Sequence, residues 1–246
     1  MSPIKREVFV GPHRLIQGDA LEVLPLLGPV DAVVTDPPYA DRTHEMAKTN
    51  QGAGHGRKLI SFGALSGPTF LRVADACLAA SDGWVVMTCD FRHAALLYDR
   101  PEFVRLGAWV KPNPMPQISA DRPGQGFETV AVLHSGRTRK VWNRGGGAGV
   151  WTFPVHSGAL VPTQKPLGLV RCFVEDFTHP GDTVADPFMG SGTTGVACVM
   201  SGRRFVGVEA DPAHFDIAVR RVSEAYAQPD LLITAPPPAP VQEALF

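Results

Sequence analysis

Cysteine is scarce in this 246-residue chain, and where it occurs it stands alone. Cys77, Cys89, Cys172 and Cys198 are far apart, form no Cys-x-x-Cys pair and sit in apolar neighbourhoods. That pattern excludes a disulfide framework or a zinc ribbon and reads as buried, reduced thiols. The eight histidines are scattered without ligand spacing, so no metal is expected. Long apolar runs are missing too: none approaches the ~18 residues of a membrane-spanning helix. Met1-Ser2-Pro3-Ile4-Lys5-Arg6 lacks the apolar core of a signal peptide, so a soluble, cytoplasmic protein is expected. Acidic residues are absent from residues 129–174, where Arg137, Arg139, Lys140, Arg144, Lys165 and Arg171 all fall. The formal net charge of the whole chain is −1, so this basic stripe is a local feature. It suits a phosphate backbone, although charge runs also serve as solvated loops. Trp142, Trp151 and the triplet Gly145-Gly146-Gly147 inside it favour nucleic-acid contact, because glycines permit close approach and aromatics stack or wedge.

What is present is a 44% hydrophobic chain long enough to bury one α/β core. Its most informative feature is Asp36-Pro37-Pro38-Tyr39, directly after the apolar run Val30-Asp31-Ala32-Val33-Val34-Thr35. The run reads as a buried parallel strand. The prolines hold φ near −65° and remove two N–H donors, leaving a rigid turn with a carboxylate acceptor and an exposed aromatic face. Such a pocket fits a planar group carrying an NH2, such as a nucleobase; the plain alternative is a Pro-Pro turn. A second motif, Thr183-Val184-Ala185-Asp186-Pro187-Phe188-Met189-Gly190-Ser191-Gly192-Thr193-Thr194, reads as strand, glycine turn and helix start. A helix through residues 195–200 stops at Ser201-Gly202, and a strand over 204–208 ends on Glu209. An acid there accepts hydrogen bonds from a ribose diol. Gly190-Ser191-Gly192-Thr193-Thr194-Gly195 keeps the Gly-x-Gly-x-x-Gly spacing that can seat a pyrophosphate, but the Asp186 carboxylate at the strand tip opposes an anion there. It favours a phosphate-free zwitterion such as S-adenosylmethionine.

Between these motifs the pattern predicts strands over residues 14–16, 84–87, 104–110 and 127–133, the last two forming an antiparallel pair at one edge. Helices are expected over 20–27, 69–80, 91–98 and 166–177, the last opened by proline in its first turn. Residues 40–67 are polar and Gly-rich and read as a lid that orders on the substrate. Residues 111–122 read as a rigid turn beside the active site. After residue 227 the chain becomes a Pro-rich extended tail.

These motifs together resemble the DNA amino-methyltransferases of bacteria and phages that act on adenine N6 or cytosine N4. The subgroup is the one whose catalytic motif precedes the cofactor motif. The resemblance runs from about residue 8 to 226 and is carried by Gln17-Gly18-Asp19-Ala20-Leu21, Asp36 to Tyr39, Trp109-Val110-Lys111-Pro112-Asn113-Pro114-Met115-Pro116, Pro162-Thr163-Gln164-Lys165-Pro166 and the Asp186 segment. Val161 departs from the histidine usual before Pro-Thr. No cysteine follows a proline, which excludes the nucleophile of enzymes that methylate cytosine C5.

The resemblance implies a single-domain Rossmann-like fold over residues 1–226, with a mostly parallel seven-stranded sheet, helices on both faces and an antiparallel edge hairpin. Within it fall a catalytic half (8–110), insertions over 40–67 and 111–157 for DNA recognition, a cofactor half (158–226) and then the tail (227–246). It implies methyl transfer from S-adenosylmethionine to the amine of a base flipped out of double-stranded DNA, adenine N6 in preference to cytosine N4. Methylation of RNA or of a protein glutamine is a more distant alternative, as is a non-catalytic nucleotide-binding module. Asp36, Pro37, Pro38 and Tyr39 are the expected catalytic motif. Phe188, Gly190 and Gly192 would line the methionine end of the cofactor, Glu209 its ribose and Asp19 its adenine. Thr163 and Lys165 would close over it, while Asp186 chiefly sets the glycine turn. Arg137, Arg139, Lys140, Arg144 and Lys111 are the expected DNA contacts. The tail ends in Gln242-Glu243-Ala244-Leu245-Phe246, which resembles peptides that dock on the DNA sliding clamp. Monomer and homodimer both remain open.

Overall fold

A computed structural model describes residues 2–39, 64–114, 121–155 and 164–228. Most of the expected lid, the Pro-rich tail with its clamp-like end, and Thr163 and Val161 lie outside the described residues. Strands β1 (Ile4–Val10), β2 (His13–Gly18), β3 (Val30–Thr35), β4 (Ser81–Cys89), β5 (Phe103–Val110), β6 (Phe127–His134), β7 (Val150–Thr152), β8 (Thr183–Asp186) and β9 (Arg204–Glu209) form one sheet in the order β1-β2-β9-β8-β3-β4-β6-β5-β7. Helices are α1 (Ala20–Val23), α2 (Gly67–Ala80), α3 (Phe91–Leu97), α4 (Leu167–Phe177), α5 (Thr193–Met200) and α6 (Pro212–Ala227).

The fold class is the expected one, an α/β layer structure on a mostly parallel sheet, but the described sheet has nine strands rather than seven. Two edge strands account for the difference. β1 carries Lys5, Arg6 and Glu7 in succession, which hides the period-2 signal, and it pairs antiparallel with β2. β7 is three residues long after a glycine-rich stretch, and it pairs parallel with β5. The β5–β6 hairpin is therefore antiparallel as expected, but β7 covers its outer strand. The helix expected over 20–27 is one turn of α1 and a 3-10 turn at Leu24–Leu26, because Pro25 has no N–H to continue the α ladder. Pro166 lies just before α4 as its cap residue, not inside the first turn. α6, not anticipated, starts at Asp211-Pro212, where the Asp211 carboxylate accepts from the Ala213 and His214 amides.

Each sheet face carries its own core. α4, α5 and α6 press Phe173, Val196, Ala218 and Val222 against Ala32, Val34 and Val184. On the other face α2, α3 and the 3-10 turn press Phe70, Val73, Leu97 and Leu24 against Val33, Val85 and Met87. The crossover from β3 to β4 uses α2 on one face, and that from β8 to β9 uses α5 on the other. β3 and β8 are neighbours, so the chain departs in opposite directions from their carboxyl ends. A crevice at such a switch point is the geometric default for a ligand site. The thiols of Cys77, Cys89 and Cys198 are free and buried, and that of Cys172 is free and half-buried. No helix among the described residues is long and apolar enough to cross a membrane.

Candidate active site

A cleft opens at the carboxyl ends of β3, β8 and β9, enclosing about 1090 Å³ with its open mouth included. Asp19, Asp36, Pro38, Lys165, Asp186, Phe188, Gly190 and Glu209 all line it, so residues spread over 190 positions converge on one place.

One wall is the glycine turn between β8 and α5. Gly190 and Gly192 adopt φ of +51° and +78°, a region that residues with a Cβ rarely occupy. At Gly192 a Cβ would also come within 3.0 Å of Ala218, so α6 packs directly on the turn. Asp186 holds the turn from below: its carboxylate accepts from Thr35 Oγ1 (2.8 Å), Thr194 Oγ1 (2.6 Å) and the Phe188 amide (3.0 Å). Burial pushes the Asp186 carboxyl up to about 6, against those three donors, which pull it down. Arg221 of α6 holds the turn from the side, donating to the carbonyl (2.6 Å) and hydroxyl (2.8 Å) of Ser191. Glu209, at the tip of β9, accepts from the Gly190 amide (2.9 Å) and the Asp211 amide (2.8 Å). Its burial raises the carboxyl above the usual range despite those donors. Asp19 caps α1, accepting from the Leu21 amide at 2.8 Å.

The opposite wall is the Asp36 motif. One Asp36 oxygen accepts from Thr88 Oγ1 and the other from Lys165 Nζ at 2.6 Å. Tyr39 donates its hydroxyl to Glu128 at 2.5 Å. Glu128 also receives Lys111 Nζ at 2.6 Å, with Lys165 Nζ at 3.4 Å. The Lys165 ammonium stands 5.2 Å from the centre of the Tyr39 ring. Two carboxylates, two ammoniums and a phenol thus form one neutral network. Burial by itself would raise Glu128, but the Lys165 and Lys111 charges outweigh it and hold the carboxyl at about 2. Burial likewise opposes the Lys165 charge, and Asp36 and Glu128 overcome it to raise its pKa. Tyr39 is pushed well above its ordinary value by burial and then by the Glu128 charge.

Of the site residues read from sequence, Pro37, Tyr39 and Gly192 belong to the two walls without lining the cleft, and Thr163 lies outside the described residues. Asp19, Asp36, Pro38, Asp186, Phe188, Gly190 and Glu209 meet in the cleft. Lys165 meets them there bonded to Asp36, on the wall opposite the glycine turn, whereas the resemblance has it close over the cofactor. Several expected DNA contacts have other work. Lys111 is bonded to Glu128 with its side chain 14% exposed. Arg137 Nη1 donates to the carbonyls of Leu78 (3.0 Å), Ala79 (3.2 Å) and Ser81 (2.6 Å), closing the C-terminal end of α2. Arg144 lies 3.6 Å from Asp176. Trp151 is a correction: it is 2% exposed, packs edge-on to Phe173 and donates to Asp176, so it cannot wedge or stack on a partner. Trp142 packs against the same cluster, edge-on to Phe177. Arg139, Lys140 and the glycine triplet are exposed. Glu128, Thr88 and Arg221 were not anticipated. Glu128 was legible as a single charge in the otherwise uncharged strand Phe127–His134, opposite Trp109 in the β5–β6 register.

Residues 135–220 match the DNA methylase family of N6/N4 methyltransferases. The Type II methyltransferase M.Cfr9I of Citrobacter freundii is 37% identical over 134 residues, 46% of this chain and 42% of that protein. The Type II methyltransferase M.XycI of Xanthomonas campestris pv. cyanopsidis is 32% identical over 158 residues, 56% of this chain and 50% of that protein. The matched stretch thus spans about half the length of these relatives or less. The crystal structure of an M1.HpyAVI–SAM complex superposes with a TM-score of 0.62 at 28% identity, covering 84% of this chain and 98% of that one.

Proposed function

We propose that this chain is an S-adenosylmethionine-dependent DNA methyltransferase that modifies the exocyclic amine of a flipped base, adenine N6 in preference to cytosine N4. The observation that carries this reading is the convergence of the Asp36 carboxylate and the glycine turn on one cleft. The lining residues suit the cofactor. Among the described residues around the cleft, the basic side chains are Lys165 and His214, and Lys165 is bonded to Asp36. A phosphate-bearing ligand would find little counter-charge, whereas the cationic end of a zwitterion meets the carboxylates of Glu209 and Asp19. Phe188 would flank its apolar parts. S-adenosylmethionine supplies an electrophilic methyl group when bound.

The chain's own residues do the rest. An amine conjugated to a base ring is a weak nucleophile. Asp36, held at the strand tip by Thr88, would accept an N–H and favour the pyramidal nitrogen whose lone pair meets the methyl. Tyr39, fixed through its hydroxyl by Glu128, offers a ring face to the base. The cleft sets the two reactants in line, which supplies much of the acceleration. The preference for adenine rests on family resemblance alone: Asp36-Pro37-Pro38-Tyr39 leans towards adenine, and a serine in place of Asp36 would lean towards cytosine. The chain would act in the bacterial cytoplasm.

The test is transfer of tritiated methyl to DNA from a methylation-free strain, followed by nucleoside analysis. N6-methyladenine or N4-methylcytosine identifies the base, and an unlabelled product with intact cofactor binding would overturn the reading. DNA contact makes two further outcomes expected. Replacing exposed Arg139 and Lys140 together by alanine should flatten the slope of log binding constant against log salt by about 2. Arg137→Ala should leave that slope unchanged and cost about 1–2 kcal/mol of stability in urea titration, through the carbonyls it deserts.

A further inference from the structure

Lys165 occupies both places that an incoming amine and its ring would need. Its ammonium is bonded to Asp36 at 2.6 Å, and the same atom stands 5.2 Å from the centre of the Tyr39 ring. Were it to stay while positive charge developed on the substrate nitrogen, two cations would share one carboxylate oxygen. A second acceptor lies within reach: Glu128 is 3.4 Å from the same ammonium, beyond a good hydrogen bond but within an ion pair. Glu128 is itself anchored by Lys111 at 2.6 Å and by the Tyr39 hydroxyl.

We propose that Lys165 is a displaceable counter-ion, capping Asp36 before the amine arrives and passing to Glu128 as the amine takes its place. Glu128 is a positioning residue in this scheme: it receives the ammonium, orients Tyr39 and leaves the acceptor oxygen of Asp36 to the substrate. The inference rests on the proposed methyltransferase reading. It also assigns Lys165 to the substrate side, in place of a clamp on the cofactor. No covalent step is involved; one N–H donor replaces another on Asp36, and the proton stays on the lysine throughout.

The test uses the full chain, genomic DNA from a methylation-free strain and tritiated S-adenosylmethionine. Glu128→Gln keeps the shape but not the charge, and should lower kcat by ~10–100-fold, the scale of a lost charged hydrogen bond. S-adenosylmethionine affinity, measured by calorimetry, should stay within about 2-fold. Adding Lys165→Met to Glu128→Gln should recover at least ~5-fold of the lost kcat, because the cap that can no longer be parked is gone. Should Glu128→Gln fail to fold by circular dichroism, Glu128→Asp replaces it, keeping the charge one methylene further from Lys165. Normal kcat in the single variant overturns the proposal. So does a double variant slower than the single one with weakened cofactor binding, which would return Lys165 to the cofactor side. Absence of transfer by the unaltered chain overturns the methyltransferase reading, and this inference with it.

Discussion

Asp36→Ala is expected to slow methyl transfer ~10²–10³-fold while S-adenosylmethionine binding persists. The carboxylate is 27% exposed at the mouth of the cleft and is held from both sides, by Thr88 and by Lys165. That orientation is specific: one oxygen belongs to a neutral hydroxyl donor, and the other is the one an amine could claim. Removing an acceptor poised for charge that develops in a transition state costs ~10²–10³-fold in kcat. The glycine turn would be untouched, since Asp186, Glu209 and Arg221 hold it without help from Asp36. The fold should survive as well, because Lys165 keeps Glu128 as counter-ion and is not stranded in the interior. Asp36→Asn is the sharper variant, since it keeps the shape and removes the charge. Turnover and calorimetry on the same preparation separate the two effects. Near-normal turnover in either variant would sink the assignment of the pocket.

The cleft was readable from sequence where chemistry and backbone demand the same residue. Asp36 and Glu209 each end an apolar strand, and such an acid has no packing reason to be there. Gly190 and Gly192 announce positive φ, and the structure has it at both. What could not be read is pairing between distant segments. Lys165 precedes α4 by two residues, and only the sheet order brings it to the tip of β3. Trp142 and Trp151 lie in a basic stripe, yet Phe173 and Phe177 of α4 draw them inward, because tertiary packing outweighs local composition. Arg137 shows the same limit, since a cation in a charge run is indistinguishable in sequence from one that closes a helix. The edge strands β1 and β7 escaped because an edge is half solvated, so its pattern carries no clear period.

Asp186 carries the largest expected effect on stability, and its sign is opposite to that of most acids. The folded carboxyl titrates at about 6 rather than 3.8 because burial resists its charge more than Thr35, Thr194 and the Phe188 amide favour it. The folded state therefore holds this proton more tightly than the unfolded chain. Its contribution to stability is fully present below the unfolded pKa and is lost as pH rises through the folded one. A shift of that size corresponds to about 3 kcal/mol in all, of which about 2 falls between pH 4 and pH 7. Asp186→Asn has no proton to lose and nearly the same shape, and threonine hydroxyls can turn to accept from an amide. Titrating groups that do not feel the Asp186 charge cancel in the difference between the two proteins. Urea titrations at steps from pH 4 to pH 7 should therefore show the original chain losing about 2 kcal/mol relative to the variant across that window. Parallel curves would mean that the carboxyl is not resisting its charge. The turn is held by an acid that costs stability at neutral pH, with three donors converging on it. An amide offers one oxygen where the carboxylate offers two, so Asp186→Asn should also loosen the glycine turn and weaken S-adenosylmethionine binding even where it stabilises the fold.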